Sequence, residues 1–473
     1  MYRAQTFDFK KNVQAALADR RLRRNLRAAM DILIDNRHKA FPDAAALERL
    51  RSRGHAIKQH ALNRLPRLLE ELEGRCRENG MQVHWAETAA EANDTVLSIV
   101  RAHAARFLVK GKSMVSEEIH LNAFLARHGI EAVETDLGEF IIQLCRETPS
   151  HIIVPAIHKN RQEVARILHQ QIPDAPYTED VEELTAIARH TLRRRFAEAR
   201  VGISGVNMAV AETGTLVLVE NEGNGRMCTS VPEVHIALMG IEKVIARLDD
   251  VPPLLRLLTG SATGQIITTY VNMITAPRRK GEKDGPREVH LILLDNRRSH
   301  ILADPELRQI LMCIRCGTCL NHCPVYTRIG GHAYGHVYPG PMGQVFTPLI
   351  EGVQETGELA DASSLCGACE AVCPVKIPLP ALLRRIRRER AQPHSAQGGG
   401  RLKNMAEAAV WKGWALANVF PVLNQAAVKA GAKTGRLPTV AGPLKQWTNV
   451  RTAPRFADRT LHAMLNATGD GDE

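Results

Sequence analysis

Apolar residues recur every three to five positions from about residue 10 to 75. They run through Val13, Leu17, Leu22, Leu26, Met30 and Leu33 and, after an interruption at Pro42 and Asp43, through Leu62, Leu65, Leu68, Leu69 and Leu72. This spacing lays an apolar stripe along α-helices, so residues 1–75 are expected to form a helical entry region. Beyond it, short apolar runs alternate with longer amphipathic stretches. The runs 82–85, 106–110, 151–154, 215–219 and 289–294 have the length and composition of strands, and 89–104, 116–128, 161–170 and 181–199 have helical periodicity. Strands interleaved with helices predict an α/β layer with a mostly parallel sheet over residues 76–300.

The pattern changes at about residue 301. Two short helical stretches, 305–312 and 379–390, flank loops that contain seven of the ten cysteines, as Cys313-x2-Cys316-x2-Cys319-x3-Cys323-Pro324 and Cys366-x2-Cys369-x3-Cys373-Pro374. In bacterial two-cluster proteins the first three cysteines of such a run hold one iron–sulfur cubane, and the fourth, before proline, crosses to the other. Carried onto this chain, the crossover gives one set of Cys313, Cys316, Cys319 and Cys373, and a second of Cys323, Cys366 and Cys369. The second is short by one, because Ser363 stands where a full motif has cysteine. That leaves a three-iron cluster, a cubane completed by Ser363, water or another side chain, or a cubane completed by a partner or substrate. A degenerate motif with Ser363 as an ordinary loop residue is the plain alternative.

Zinc also favours C-x2-C pairs in four-thiolate sites, but seven thiolates do not divide into fours and zinc does not need the Cys-Pro ending. A disulfide framework is disfavoured by the chain length and by the scattered Cys76, Cys145 and Cys228, which read as small buried hydrophobes or incidental thiols. Residues 301–392 are therefore expected to form a helical ferredoxin-like module. Between the runs, residues 330–341 are too rich in glycine and proline for a regular element. Their histidines and tyrosines are candidates to face a cluster or substrate, against a packed loop with no chemistry. Residues 393–473 read as a flexible linker and a helical tail with Trp411, Trp414 and Phe420, whose tryptophans are expected to pack within the chain, against docking of that helix onto a partner or a membrane face.

A length of 473 residues with 44% apolar content suits two to four folding units. The net charge of +11 comes largely from Arg20, Arg21, Arg23, Arg24 and Arg27 and from Arg384, Arg385, Arg387, Arg388 and Arg390. Such clusters attract an acidic partner, an anionic substrate or a lipid surface. With no aromatic-rich basic patch or recognised binding module, nucleic acid is not expected as a partner. The start does not read as an export signal and no apolar run approaches 18 residues. A cytoplasmic location with at most peripheral membrane contact is expected.

No dinucleotide or triphosphate glycine motif occurs. Lys110-Gly111-Lys112-Ser113 follows one expected strand, and Glu212-Thr213-Gly214-Thr215 and Glu220 to Met227 bracket another. Ligands collect beyond the carboxyl ends of strands in open α/β sheets. Lys110, Lys112 and Arg226 are thus candidates to pair a small carboxylate, with Glu212 to take a proton; the bland alternative is a charged, solvated rim.

These segments together resemble the lactate utilisation protein B family. The likeness is carried by Lys110 to Met114, Glu212 to Thr215, Asn221 to Arg226, Cys313 to Pro324, Gly330 to Gly335 and Cys366 to Lys376, and it spans essentially the whole chain. It implies an α/β LUD domain of the NagB/RpiA/CoA-transferase-like class followed by an α-helical ferredoxin-like domain. It also implies two [4Fe-4S] clusters on seven cysteines and a part, with sister subunits, in oxidising L-lactate to pyruvate. A missing cysteine at Ser363 would then be normal for the family. Lactate oxidation releases two electrons and a cubane exchanges one, so the expected role is electron transfer within a multi-protein oxidoreductase, with a small 2-hydroxy acid bound here or on a partner. A subunit of a related glycolate-oxidase or heterodisulfide-reductase-type complex is the alternative, sharing the cysteine runs without the α/β domain. A nucleic-acid binder with a structural cluster is a third, marked by strong salt-sensitive affinity.

Overall fold

The structure, a computed structural model, describes residues 8–392 and 401–434 together with positions 457, 459, 461 and 464. The chain divides into two compact units between Gln392 and Pro393. In the second, the described helices are Arg401–Val419 and Pro421–Thr434. Trp411 and Trp414 meet edge to face at 5.9 Å, yet both are more than half exposed. Among the described residues, the expected core packing of these two tryptophans is not found.

In the first unit, strands β1 (Gln82–Ala86), β2 (Phe107–Lys110), β3 (Glu131–Glu134) and β4 (Val201–Gly205) are followed by β5 (Met208–Val210), β6 (Thr215–Glu220) and β7 (Val234–Gly240). The last three are β8 (Val244–Ile245), β9 (Tyr270–Ile274) and β10 (Glu288–Leu294). Six form a sheet in the order β1-β10-β7-β4-β2-β3, every pairing parallel. The other four form a mixed sheet, β8-β5-β6-β9.

Period-two alternation decides which core each residue of the parallel sheet enters. Along β10, Ile292 and Leu294 pack with the helices Ala89–Ala102 and Leu121–Arg127, whereas Val289, Leu291 and Leu293 join the core shared with the entry helices, the mixed sheet and the cysteine region. At the β2–β3 edge, Val109 and Val133 meet the helices Leu137–Cys145, Arg161–Gln171 and Val181–Glu198.

The entry region forms the helices Phe9–Ala18, Arg20–Ala40, Ala44–Asn63 and Leu65–Glu78. Pro42 and Asp43 interrupt it because the Asp43 carboxylate caps the third helix, accepting from the N–H groups of Ala45 and Ala46 at 2.9 and 3.0 Å. Leu26, Met30, Leu65 and Leu72 are almost wholly buried, in the same core as Cys319, Cys323, Cys369 and Cys373.

Three expectations need correction. Residues 151–154 are not a strand: Nδ1 of the buried His151 accepts from the N–H groups of both Ile153 and Val154 at 3.1 Å, which bends the chain around the ring. The stretch 116–128 is two helices, Met114–Glu118 and Leu121–Arg127, parted at His120 with φ +52°. The stretch before the first cysteine is a 3-10 helix, Leu307–Met312.

Candidate metal centre

The two cysteine runs fold alike. Arg315 and Leu365, each just before the second cysteine position of its run, have φ of +61° and +54°, and Gly317 and Gly367, each just after, have φ of +74° and +82°. A left-handed pair on each side of Cys316 and Cys366 turns the chain sharply. Glycine takes such a φ without cost, while Arg315 and Leu365 hold it against their own preference, as residues at functional sites often do. The turns lead into the short helices Thr318–Asn321 and Ala368–Val372.

Cys313, Cys316, Cys319 and Cys373 line one cavity, closed by apolar side chains that include Ile152, Met342, Val375, Ile377 and Leu379. Burial pushes the Cys316 and Cys319 thiols up, and the neighbouring Cys313 and Cys373 add to it; the Cys373 thiol is pushed up to about 11. Cys323, Cys366 and Cys369 act on one another, and Cys369 reaches Cys319 as well. Burial and then Cys323 push Cys369 up to about 12, burial and Cys366 raise Cys323, and the Ala368 N–H lowers the exposed Cys366. Thiols crowded in an apolar cavity resist ionisation as long as they face only one another. A bound cation removes that resistance, because a metal site couples ligand deprotonation to binding, so the donor set fits a thiolate-held iron–sulfur group. Ser363 turns its hydroxyl to its own loop, where Oγ accepts from the Leu365 N–H at 3.1 Å and its carbonyl accepts from Arg387 at 2.6 Å. Cys76 and Cys228 are buried in the α/β part: the Cys76 thiol donates to the Gly214 carbonyl, and Cys228 meets the Thr135 hydroxyl.

Beside Cys313 lies a buried ionic network. Glu242 receives Arg298 Nε at 2.6 Å and Arg315 at 3.4 Å, and Arg298 also grips Glu118 through both terminal nitrogens at 2.9 and 2.8 Å. Tyr338 donates to Glu118 at 2.7 Å, and the Arg315 guanidinium lies over the Phe346 ring at 4.3 Å. Burial alone would raise Glu242, but Arg298 and Arg315 outweigh it and hold the carboxyl at about 2. Burial pulls Lys58 and Lys243 down to about 8, with Cys313 and Glu242 opposing.

Of the candidate small-molecule residues, Lys110 and Lys112 flank Gly111, where an added Cβ would lie 3.6 Å from the Gly225 Cα next to Arg226, but the two lysines are already engaged by groups of the chain. Lys110 is buried at the end of β2 with its ammonium 2.8 Å from Glu134 and 3.1 Å from Glu117; burial opposes its charge, and these carboxylates more than restore it. Lys112 donates to the Ile153 carbonyl at 2.6 Å. Arg226 is exposed beside Glu220, which accepts its backbone N–H at 2.6 Å. Glu212 lies in the turn before β6, whereas Glu220 closes that strand, and the Glu212 carboxylate accepts from the Leu248 N–H at 3.0 Å. What surrounds Lys110 is mainly acidic. Burial and Glu134 push Glu139 up to about 8, and burial and Asp136 raise Glu222 to about 7. A carboxyl raised on folding stabilises the protein below its ordinary range and loses that stabilisation as pH climbs through the folded value. Glu139 is thus expected to contribute a fall in stability between about pH 4.5 and 8, and Glu139→Gln to lose stability less steeply with rising pH than wild type, as read by urea unfolding of both proteins across this range.

Residues 69–294 match the LUD domain family, 309–377 the 4Fe-4S dicluster domain family, and 384–470 the C-terminal family of lactate utilisation protein B. The lactate utilization protein B of Shouchella clausii is 42% identical over 95% of this chain and 96% of its own length. That of Bacillus subtilis is 38% identical over 95% of each. The chain belongs to the lactate utilisation protein B family. An uncharacterized electron transport protein of Escherichia coli, YkgF, is 40% identical over 94% of both chains.

In this member of the lactate utilisation protein B family, the dicluster match covers all seven clustered cysteines, and the chain is an iron–sulfur protein. Reading the sequence missed the groups that hold the cysteine region in place. Arg51 donates to the Cys373 and Glu370 carbonyls at 2.9 and 3.3 Å, Arg37 to the Val372 carbonyl at 3.4 Å, and His55 Nδ1 meets the Val375 carbonyl at 2.9 Å. Within a basic, helical stretch they look like any solvated face, and only the fold turns them inward. Among the described residues, no helix is long and apolar enough to cross a membrane.

Proposed function

We propose that this chain is the iron–sulfur electron-transfer subunit of a multi-protein complex that oxidises L-lactate to pyruvate in the cytoplasm, with sister subunits contributing the rest of the reaction. The gathering of Cys313, Cys316, Cys319 and Cys373 on one cavity, from runs about fifty residues apart, carries the reading. Near full-length identity to lactate utilization protein B supports the substrate.

Cys313, Cys316, Cys319 and Cys373 would hold one [4Fe-4S] cluster and Cys323, Cys366 and Cys369 a second, whose remaining position no cysteine fills. When bound, such clusters supply one-electron exchange, so the pair leaving lactate is passed on in single steps. The chain's own groups set the conditions for this. Ile152, Met342, Val375, Ile377 and Leu379 keep water from the first set of sulfurs. The cations Lys58, Lys243 and Arg315 near Cys313 offset the negative charge of the thiolates. Arg37 and Arg51 fix the backbone of the second run.

Deleting the gene from a strain with no other lactate dehydrogenase is expected to abolish growth on L-lactate as sole carbon source, restored by the intact gene on a plasmid. Normal growth of the deletion strain would reject the reading.

A further inference from the structure

Two groups of metal-ligand side chains stand apart from the cysteines among the described residues, His103 with Glu288 and His290, and Glu147 with His158 and His332; the second borders the larger cavity. Gly331 presses against the 148–150 segment so closely that an added Cβ would lie 1.9 Å from the Ser150 carbonyl oxygen, and its N–H donates to Ser150 Oγ at 3.2 Å. This seats His332 over the same segment. Its Nε2 faces the Thr148 carbonyl at 2.6 Å. A carbonyl only accepts, so Nε2 carries the proton and Nδ1 keeps a lone pair. The His158 ring meets that of His332 edge-on, with centroids 4.6 Å apart, and its Nε2 donates to Glu147 at 2.8 Å. His158, a side chain only 7% exposed, thus faces Glu147 through Nε2, and an ion held between them would take the place of that shared proton.

We propose that Glu147, His158 and His332 form a binding site for a divalent transition-metal ion of the zinc or iron(II) type. One ligand atom from each lies within 4.8 Å of the others. Two imidazoles and a carboxylate are a donor set such ions favour, and three protein ligands leave room for a further one. The three residues line a cavity of about 450 Å³ that also holds Arg21 and Lys159, space for water or a small oxyanion beside the ion. The supporting contacts have the form that metal-binding histidines use: a ring N–H fixed by a backbone carbonyl at His332, and a ligand carboxylate oriented by Lys159 at 2.5 Å.

The test uses full-length protein purified without oxygen with its iron–sulfur content intact, dialysed against graded Zn²⁺, with bound zinc read by elemental analysis. Wild type is expected to bind zinc at this site at micromolar concentrations, and both His332→Ala and Glu147→Gln to weaken that uptake at least tenfold with iron and sulfide unchanged. His332 is exposed, so its truncation leaves the core intact. Equal zinc uptake by wild type and both variants, or none by wild type, overturns the proposal. Neither result bears on the cysteine clusters, which iron, sulfide and growth on lactate report separately.

Discussion

Cys319→Ala is expected to remove about four of the roughly eight irons that two cubanes bring to each chain and to end growth on L-lactate. Cys319 sits at the centre of the first set, where Cys313, Cys316 and Cys373 all act on its thiol, and burial leaves no solvent ligand ready to replace it. Elemental and sulfide analysis of protein purified without oxygen, with electron paramagnetic resonance of the reduced form, reads the result. Cys145→Ser, a partly exposed thiol outside the cysteine region, should keep the full iron complement. Should Cys319→Ala hold all its iron, the assigned ligand sets are wrong.

Glu242→Gln is expected to cost about 3–5 kcal/mol of stability, since it leaves buried cations without their shared anion. Glutamine fills the same space, so the loss isolates charge from packing. Arg298 keeps Glu118, whereas Arg315 loses its ion-pair partner and Lys243 a compensating charge. Because folding lowers this carboxyl to about 2, its stabilisation is present above the ordinary carboxylate range and disappears as pH falls toward 2. Denaturant unfolding at neutral and acidic pH should show the variant's deficit shrinking as the solution is acidified. Asp31→Asn, which breaks an exposed pair with Arg27, should stay within about 0.5 kcal/mol of wild type. A Glu242→Gln protein as stable as wild type at neutral pH would show that the network does not depend on that charge.

How far the sequence announces this architecture depends on the range of the forces involved. Periodicity located the entry helices and strands β1, β2, β6 and β10, where apolar spacing is local and regular. It passed over β4 and β7, whose Gly202, Ser204 and His235 break the apolar run although every residue of both strands is buried. Ser204 Oγ lies 2.8 Å from His235 Nε2 across the sheet, and only the strand pairing reveals it. The cysteine chemistry was plain because metal ligation forces residue types and spacing together. The Lys110, Lys112, Arg226 and Glu212 grouping is harder to read for the opposite reason. Charged residues beside glycines look alike in sequence whether they meet a ligand or one another, and here Glu134, brought by β3, occupies Lys110 first.

The grip of the entry helices on the second cysteine run has a consequence for biosynthesis. Arg37 and Val372 are separated by 335 positions and Arg51 and Cys373 by 322, so the first partners leave the ribosome long before the last cysteine is translated. At roughly 5–20 residues per second, that wait is on the order of tens of seconds. The first set therefore cannot close until the chain is almost complete, whereas a nascent chain stalled just before Cys373 already carries Cys323, Cys366 and Cys369 and should hold iron at the second set alone.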